Sequence, residues 1–305
     1  MRAGRDCPLD YRLTRDAFGG EPLFDCQALY VVGGLYGNRQ ALAALQRRLA
    51  AEPNAHVVFN GDAHWFDRDL QIFQQIEQGI SAHLALRGNV ETELGRANDS
   101  GAGCGCAYPM TVDEAVVERS NAIQQALNRT VQGLPGIAER LATRPSTAIV
   151  SVAGQRVAIS HGDEQSLAGW SCSRESLSEP ERQQQLDAWF NANRVQVLAT
   201  SHTCSAVALN LEHGALINNG AAGLPNFAGG RYGLLSRIAT TPHPAALYRC
   251  QRDGLFIEAL PLNYDHTAFL ADFDRQWPAH SPAALSYRSR VLGQLTDRPE
   301  TALLA

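Results

Sequence analysis

Short apolar runs recur along this chain, and most end in a cluster of Gly, Asn, Asp, Ser or His. They are ALYVV (28–32), HVVF (56–59), HLAL (83–86), TAIVSV (147–152), RVAIS (156–160) and VQVLAT (195–200), followed by AVALNL (206–211), ALIN (215–218), YGLLSRIA (232–239), ALYRC (246–250) and LFIEAL (255–260). Runs this short, rich in β-branched residues and bounded by turn formers, predict strands. Helical spacing of apolar residues predicts helices over 39–51, 69–79, 113–131 and 179–192, and again near 265–276 and 282–295. Strand and helix alternate in the first half, while strands follow one another closely in the second. That order suits one mixed sheet, or two sheets packed face to face, with helices outside. No internal repeat or low-complexity linker divides the chain. Residues 1–305 therefore read as a single domain, with a polar N-terminal lead (1–27), an inserted loop and helical segment (94–145) and a C-terminal helical segment (264–305).

The composition excludes several function classes. With 45% hydrophobic residues in 305, the chain can bury a large core. Its net charge of −5 is spread along the sequence, which argues against a nucleic-acid partner. All 26 basic residues are arginine, so neither a Schiff-base lysine nor a P-loop lysine is available. Seven scattered cysteines do not form a disulfide framework. The first twenty residues have no apolar core, and no later run could span a bilayer; the expectation is a cytoplasmic protein without a membrane partner.

The chemistry concentrates at the strand ends. HVVF is followed by Asn60-Gly61-Asp62, HLAL by Arg87-Gly88-Asn89, RVAIS by His161-Gly162-Asp163 and VQVLAT by Ser201-His202-Thr203-Cys204. In α/β folds the carboxyl ends of strands converge on the ligand crevice. Taken singly, a Gly-Asp is a turn and a lone His a hydrogen-bonded structural residue. Taken together, Asp62, Asn89, His161 and His202 form a mixed oxygen and nitrogen set suited to Mn, Fe, Co or Zn.

In order and spacing these stretches resemble the calcineurin-like metallophosphoesterase superfamily, as a bacterial phosphoesterase-like member. The family's successive motifs are D-x-H-G-N, G-D, G-N-H/D, a His-Gly pair, G-H-T-H and a final glycine turn. The matching stretches here are GLYGN (34–38), GD (61–62), GNVE (88–91), SHGD (160–163), SHTC (201–204) and NNGAAG (218–223), covering roughly residues 28 to 262. The resemblance implies a four-layer α-β-β-α sandwich, two mixed sheets packed face to face and flanked by helices. It also implies metal-dependent hydrolysis of a phosphomonoester or phosphodiester on a small phosphorylated substrate. In the family two ions share a bridging Asp, which here is Asp62, and the second ion would take Asn89, His161 and His202. The first ion would need an acid at 34 and histidines at 36 and 204, where this chain has Gly34, Tyr36 and Cys204. The losses all fall on one metal.

Three readings follow. One is a hydrolase with a single ion at Asp62, Asn89, His161 and His202. Another keeps two ions, with Tyr36 and Cys204 as substitute ligands and Cys104 and Cys106 of the GCGC loop as possible additions. The third is a binding or scaffold protein on a phosphoesterase fold. Val90 replaces the family's leaving-group histidine, so Glu91, His64 and Asp163 are the candidate acids. Trp65, Phe66, Trp170 and Phe227 flank the motif loops as candidate pocket walls.

Overall fold

The computed structural model describes residues 2–98 and 100–304. Two mixed sheets form its centre. The first runs Asp25–Cys26, Thr147–Val152, Gln155–Ser160, Val197–Thr200, Ala215–Asn218, Val207–Asn210, Leu303–Leu304; the second runs Tyr248–Arg252, Leu255–Asn263, Tyr232–Ala239, Ala28–Val32, His56–Asn60, Leu84–Leu86. The edge pairings Asp25–Cys26 and Leu303–Leu304 are too short to register as runs in the sequence.

Alternation along the strands builds the layers. In Ala28–Val32, Leu29 and Val31 face the other sheet, while Tyr30 and Val32 face helices. In Thr147–Val152, Ala148, Val150 and Val152 meet them from the opposite side, and Ile149 turns outward. Helices Arg39–Ala51 and Leu70–Ile80 cover one outer face through Leu42, Leu45, Phe73 and Ile76. Pro180–Asn193 covers the other through Leu186 and Phe190. The result is the four-layer sandwich, with both sheets buried on both faces; each fully buried aliphatic side chain contributes roughly 1.5–3 kcal/mol.

The sequence missed three short helices: Asn89–Leu94, Ile137–Ala142 and Arg174–Leu177. The first matters for the site because it begins at Asn89. The helix predicted to 295 ends at Val291. Within the 94–145 segment, Glu114–Gln132 packs against the C-terminal helix Pro282–Val291. Among the described residues no helix is long and apolar enough to cross a membrane.

Candidate metal centre

The loops after four strands meet at one point. Asp62 adopts a left-handed backbone (φ 52), as do Tyr36 (φ 56) and Cys204 (φ 53) beside it. Such conformations are uncommon in non-glycine residues and gather at functional sites. Gly61 lets the loops close: a Cβ there would lie 2.5 Å from Gly88 N and 2.7 Å from His161 Nδ1. Asn38, the last residue of GLYGN, caps the following helix through Ala41 N (2.9 Å) and ties it to Gly223 O (2.8 Å).

Around that point stand four acceptor atoms. His161 Nε2 lies 3.4 Å from Asp62 Oδ2, 3.2 Å from Asn89 Oδ1 and 3.2 Å from His202 Nδ1. Their outer hydrogen bonds fix the orientation. His161 Nδ1 donates to Asn60 O (2.8 Å), His202 Nε2 donates to Cys106 O (3.0 Å), and Asn89 Nδ2 donates to Cys104 O (2.9 Å). Each imidazole thus spends its N–H on a backbone carbonyl and aims its other nitrogen inward, as metal-ligating histidines do. Burial and then the neighbouring His161 push His202 down to about 4, so it is neutral. Burial would lower His161 too, but the Asp62 carboxylate outweighs it and raises the pKa. Burial would raise Asp62, yet His161 and His202 together hold it below its usual value. These side chains face one point with a mixed oxygen and nitrogen donor set, and that set fits a divalent transition metal.

The centre opens into a cavity of about 270 Å³, walled by Trp65, Val90, Tyr108, Val112, Trp170 and Tyr287. The GCGC loop does fold over the crevice: Cys106 lines the cavity and its carbonyl holds both His202 and Trp170 Nε1 (2.9 Å). Burial raises the Cys106 thiol well above its usual value. Trp65 and Trp170 line the cavity, whereas Phe66 and Phe227 pack into the apolar core.

No family model matches the sequence, and none of the curated proteins compared with it matches. Solved structures do. A hypothetical protein from Pyrococcus horikoshii OT3 superposes with a TM-score of 0.60 at 12% identity, over 85% of this chain and 97% of that one. A metallophosphoesterase from Sphaerobacter thermophilus superposes with a TM-score of 0.52 at 13% identity, over 88% and 100%. The chain has a metallophosphoesterase fold.

Within this metallophosphoesterase fold, the structure separates the remaining candidates. Tyr36 OH and Cys204 Sγ face each other at 2.7 Å. Among the described residues, the ligand atoms of Asp62, His161 and His202 lie within 4.8 Å of one another, and Cys204 does not join that group. The Tyr36 ring fills the space a residue-34 side chain would need, since a Cβ on Gly34 would lie 2.9 Å from it. Burial pushes Tyr36 far up, with Cys204 and Asp62 adding to it; burial likewise raises Cys204 despite a nearby Arg290. The pair is therefore neutral.

None of the three acid candidates lines the cavity. Glu91 accepts from the backbone N–H groups of Asp62, Ala63 and Gly88, each at 2.8 Å. Asp163 accepts from Gln165 N, Ser166 N and Ser171 N, and borders a separate surface cleft of about 850 Å³ lined by none of Asp62, Asn89, His161 and His202. His64 is fully buried, stacked on Phe73 at 3.6 Å, between Asp67 (2.6 Å) and Glu77 (2.9 Å). Burial opposes its charge, but the two carboxylates raise its pKa to about 9, above the ordinary 6.5. Its stabilising contribution is complete below pH 6.5 and lost as pH rises through 9. In urea unfolding between about pH 6 and pH 9, the wild type should lose more stability than His64→Gln; equal slopes would show that His64 is not charged in the fold.

Sequence reasoning missed Arg290, Tyr108 and Tyr287, which line the cavity from the 94–145 and C-terminal segments. No motif marks them. Only the packing of Glu114–Gln132 on Pro282–Val291 brings them over the strand ends.

Proposed function

We propose that this chain is a metal-dependent phosphoester hydrolase that holds one divalent transition metal, Mn, Fe, Zn or Co, at Asp62, Asn89, His161 and His202. The observation that carries this is the convergence of the buried Asp62 carboxylate with Asn89, His161 and His202, each of which donates an N–H to a backbone carbonyl. A divalent ion there would polarise a phosphoryl oxygen and make water a stronger nucleophile near neutral pH. The chain's own part is positioning. Glu91 braces the Asp62 loop, Asn60 and Cys106 orient the imidazoles, and Trp65, Trp170, Tyr108 and Tyr287 exclude water from the crevice. The cavity, about 270 Å³, supports a small substrate with a flat apolar leaving group. Because Glu91, His64 and Asp163 are each tied up elsewhere, the reading includes no protein acid among them. It favours esters whose leaving groups depart without a proton.

Elemental analysis of the purified protein tests this, together with hydrolysis of p-nitrophenyl phosphate and bis(p-nitrophenyl) phosphate. One ion per chain and turnover that stops with chelator are expected. Absence of both would leave the alternative, a binding protein on this fold. In this reading Tyr36 and Cys204 lie outside the ligand set, so Cys204→Ser should keep the wild-type metal stoichiometry; a lost ion would place the thiol in the set.

A further inference from the structure

We infer that Arg290 takes the role of the second cation, binding the phosphoryl oxygens of a phosphomonoester opposite the metal; this rests on the hydrolase reading. Arg290 lies near the end of helix Pro282–Val291 and lines the same cavity as Asp62, Asn89 and His202. Its Nε donates to Pro225 O (2.9 Å), and Nη2 donates to Asn226 Oδ1 (3.1 Å) and, at longer range, to Cys204 O (3.4 Å). These contacts fix the guanidinium beside the Tyr36–Cys204 pair. Among the described residues, no carboxylate pairs with it. Arg39, Arg182 and Arg288, by contrast, pair with Asp272, Glu164 and Asp274.

An unpaired guanidinium held rigidly in a cavity is a receptor for an anion. Its placement accounts for the altered loop. Where the fold's relatives are expected to hold a first ion, this chain has Tyr36 and Cys204 hydrogen-bonded to each other at 2.7 Å, with the Arg290 guanidinium beside them. A phosphomonoester dianion would meet two positive centres, the ion that Asp62, Asn89, His161 and His202 would hold and the Arg290 guanidinium. A diester, with one negative charge and two unesterified oxygens, has less for the second centre to hold.

The test is calorimetric titration with inorganic phosphate, on metal-free and metal-loaded protein, for wild type, Arg290→Gln and Arg290→Lys. Metal content and the hydrolysis ratio of p-nitrophenyl phosphate to bis(p-nitrophenyl) phosphate are measured alongside. Arg290→Gln should weaken phosphate binding about tenfold or more in both forms. It should lower the monoester-to-diester ratio and leave metal content unchanged, and Arg290→Lys should recover part of the binding. Unchanged phosphate affinity in Arg290→Gln overturns the inference, as does a loss that Arg290→Lys repeats in full together with lost metal. If the wild type holds no ion and hydrolyses nothing, the hydrolase reading fails, yet the metal-free titration still decides whether Arg290 binds phosphate.

Discussion

Replacing Asp62 by Asn should empty the metal centre and stop hydrolysis while the fold survives. Asp62 is the only carboxylate among the four inward-facing groups, so it alone offsets the charge of a divalent ion. Asn is the informative substitution. It tolerates the left-handed backbone at this position (φ 52) and keeps the shape and one acceptor oxygen. What disappears is the negative charge. The same change removes the group that keeps His161 protonatable in the absence of metal. Metal affinity should fall on the order of a hundredfold or more, and kcat/KM by at least about 10²–10³-fold. The far-ultraviolet spectrum should be unchanged. His202→Ala should follow it in direction. A variant at 62 that keeps one tightly held ion would show that the ion sits elsewhere, and the assignment of the centre would fail.

The strand ends were legible because both fold and chemistry write themselves there. A run such as VQVLAT can end only where the chain turns, and Ser201-His202-Thr203 stands at that turn in sequence and in space. The convergence of Asp62, Asn89, His161 and His202 was readable for the same reason. The roles of Glu91 and His64 were not. Both are polar residues next to a motif, and sequence adjacency cannot distinguish a side chain aimed into a cavity from one aimed into the protein. Glu91 turns back because Asn89 starts a helix, which puts residue 91 against the N–H groups of the first turn and of the Asp62 loop. His64 turns back because Glu77, thirteen residues on in the chain, waits on helix Leu70–Ile80. The Tyr36–Cys204 contact joins residues 168 positions apart and needed the closed sandwich to appear.

Glu91 supplies the second large effect, and it separates a structural brace from the general acid the sequence suggested. Its carboxylate is fully buried; Oε2 accepts from Asp62 N and Gly88 N, and Oε1 accepts from Ala63 N. Three backbone N–H groups around the centre therefore depend on one side chain. Glu91→Ala strands all three, at roughly 1–3 kcal/mol each, a large share of the 5–15 kcal/mol typical of a folded domain. Glu91→Gln is the sharper experiment. The amide oxygen can serve two of the donors, but its NH2 then faces the third, so the expected loss is about 1–3 kcal/mol in denaturant unfolding. Because the strained Asp62 loop loosens with it, metal affinity should fall as well. The pH dependence of the remaining activity should keep its shape, since a brace exchanges no proton with substrate. A general acid predicts the reverse: stability and metal content intact, and the alkaline limb of the pH profile gone.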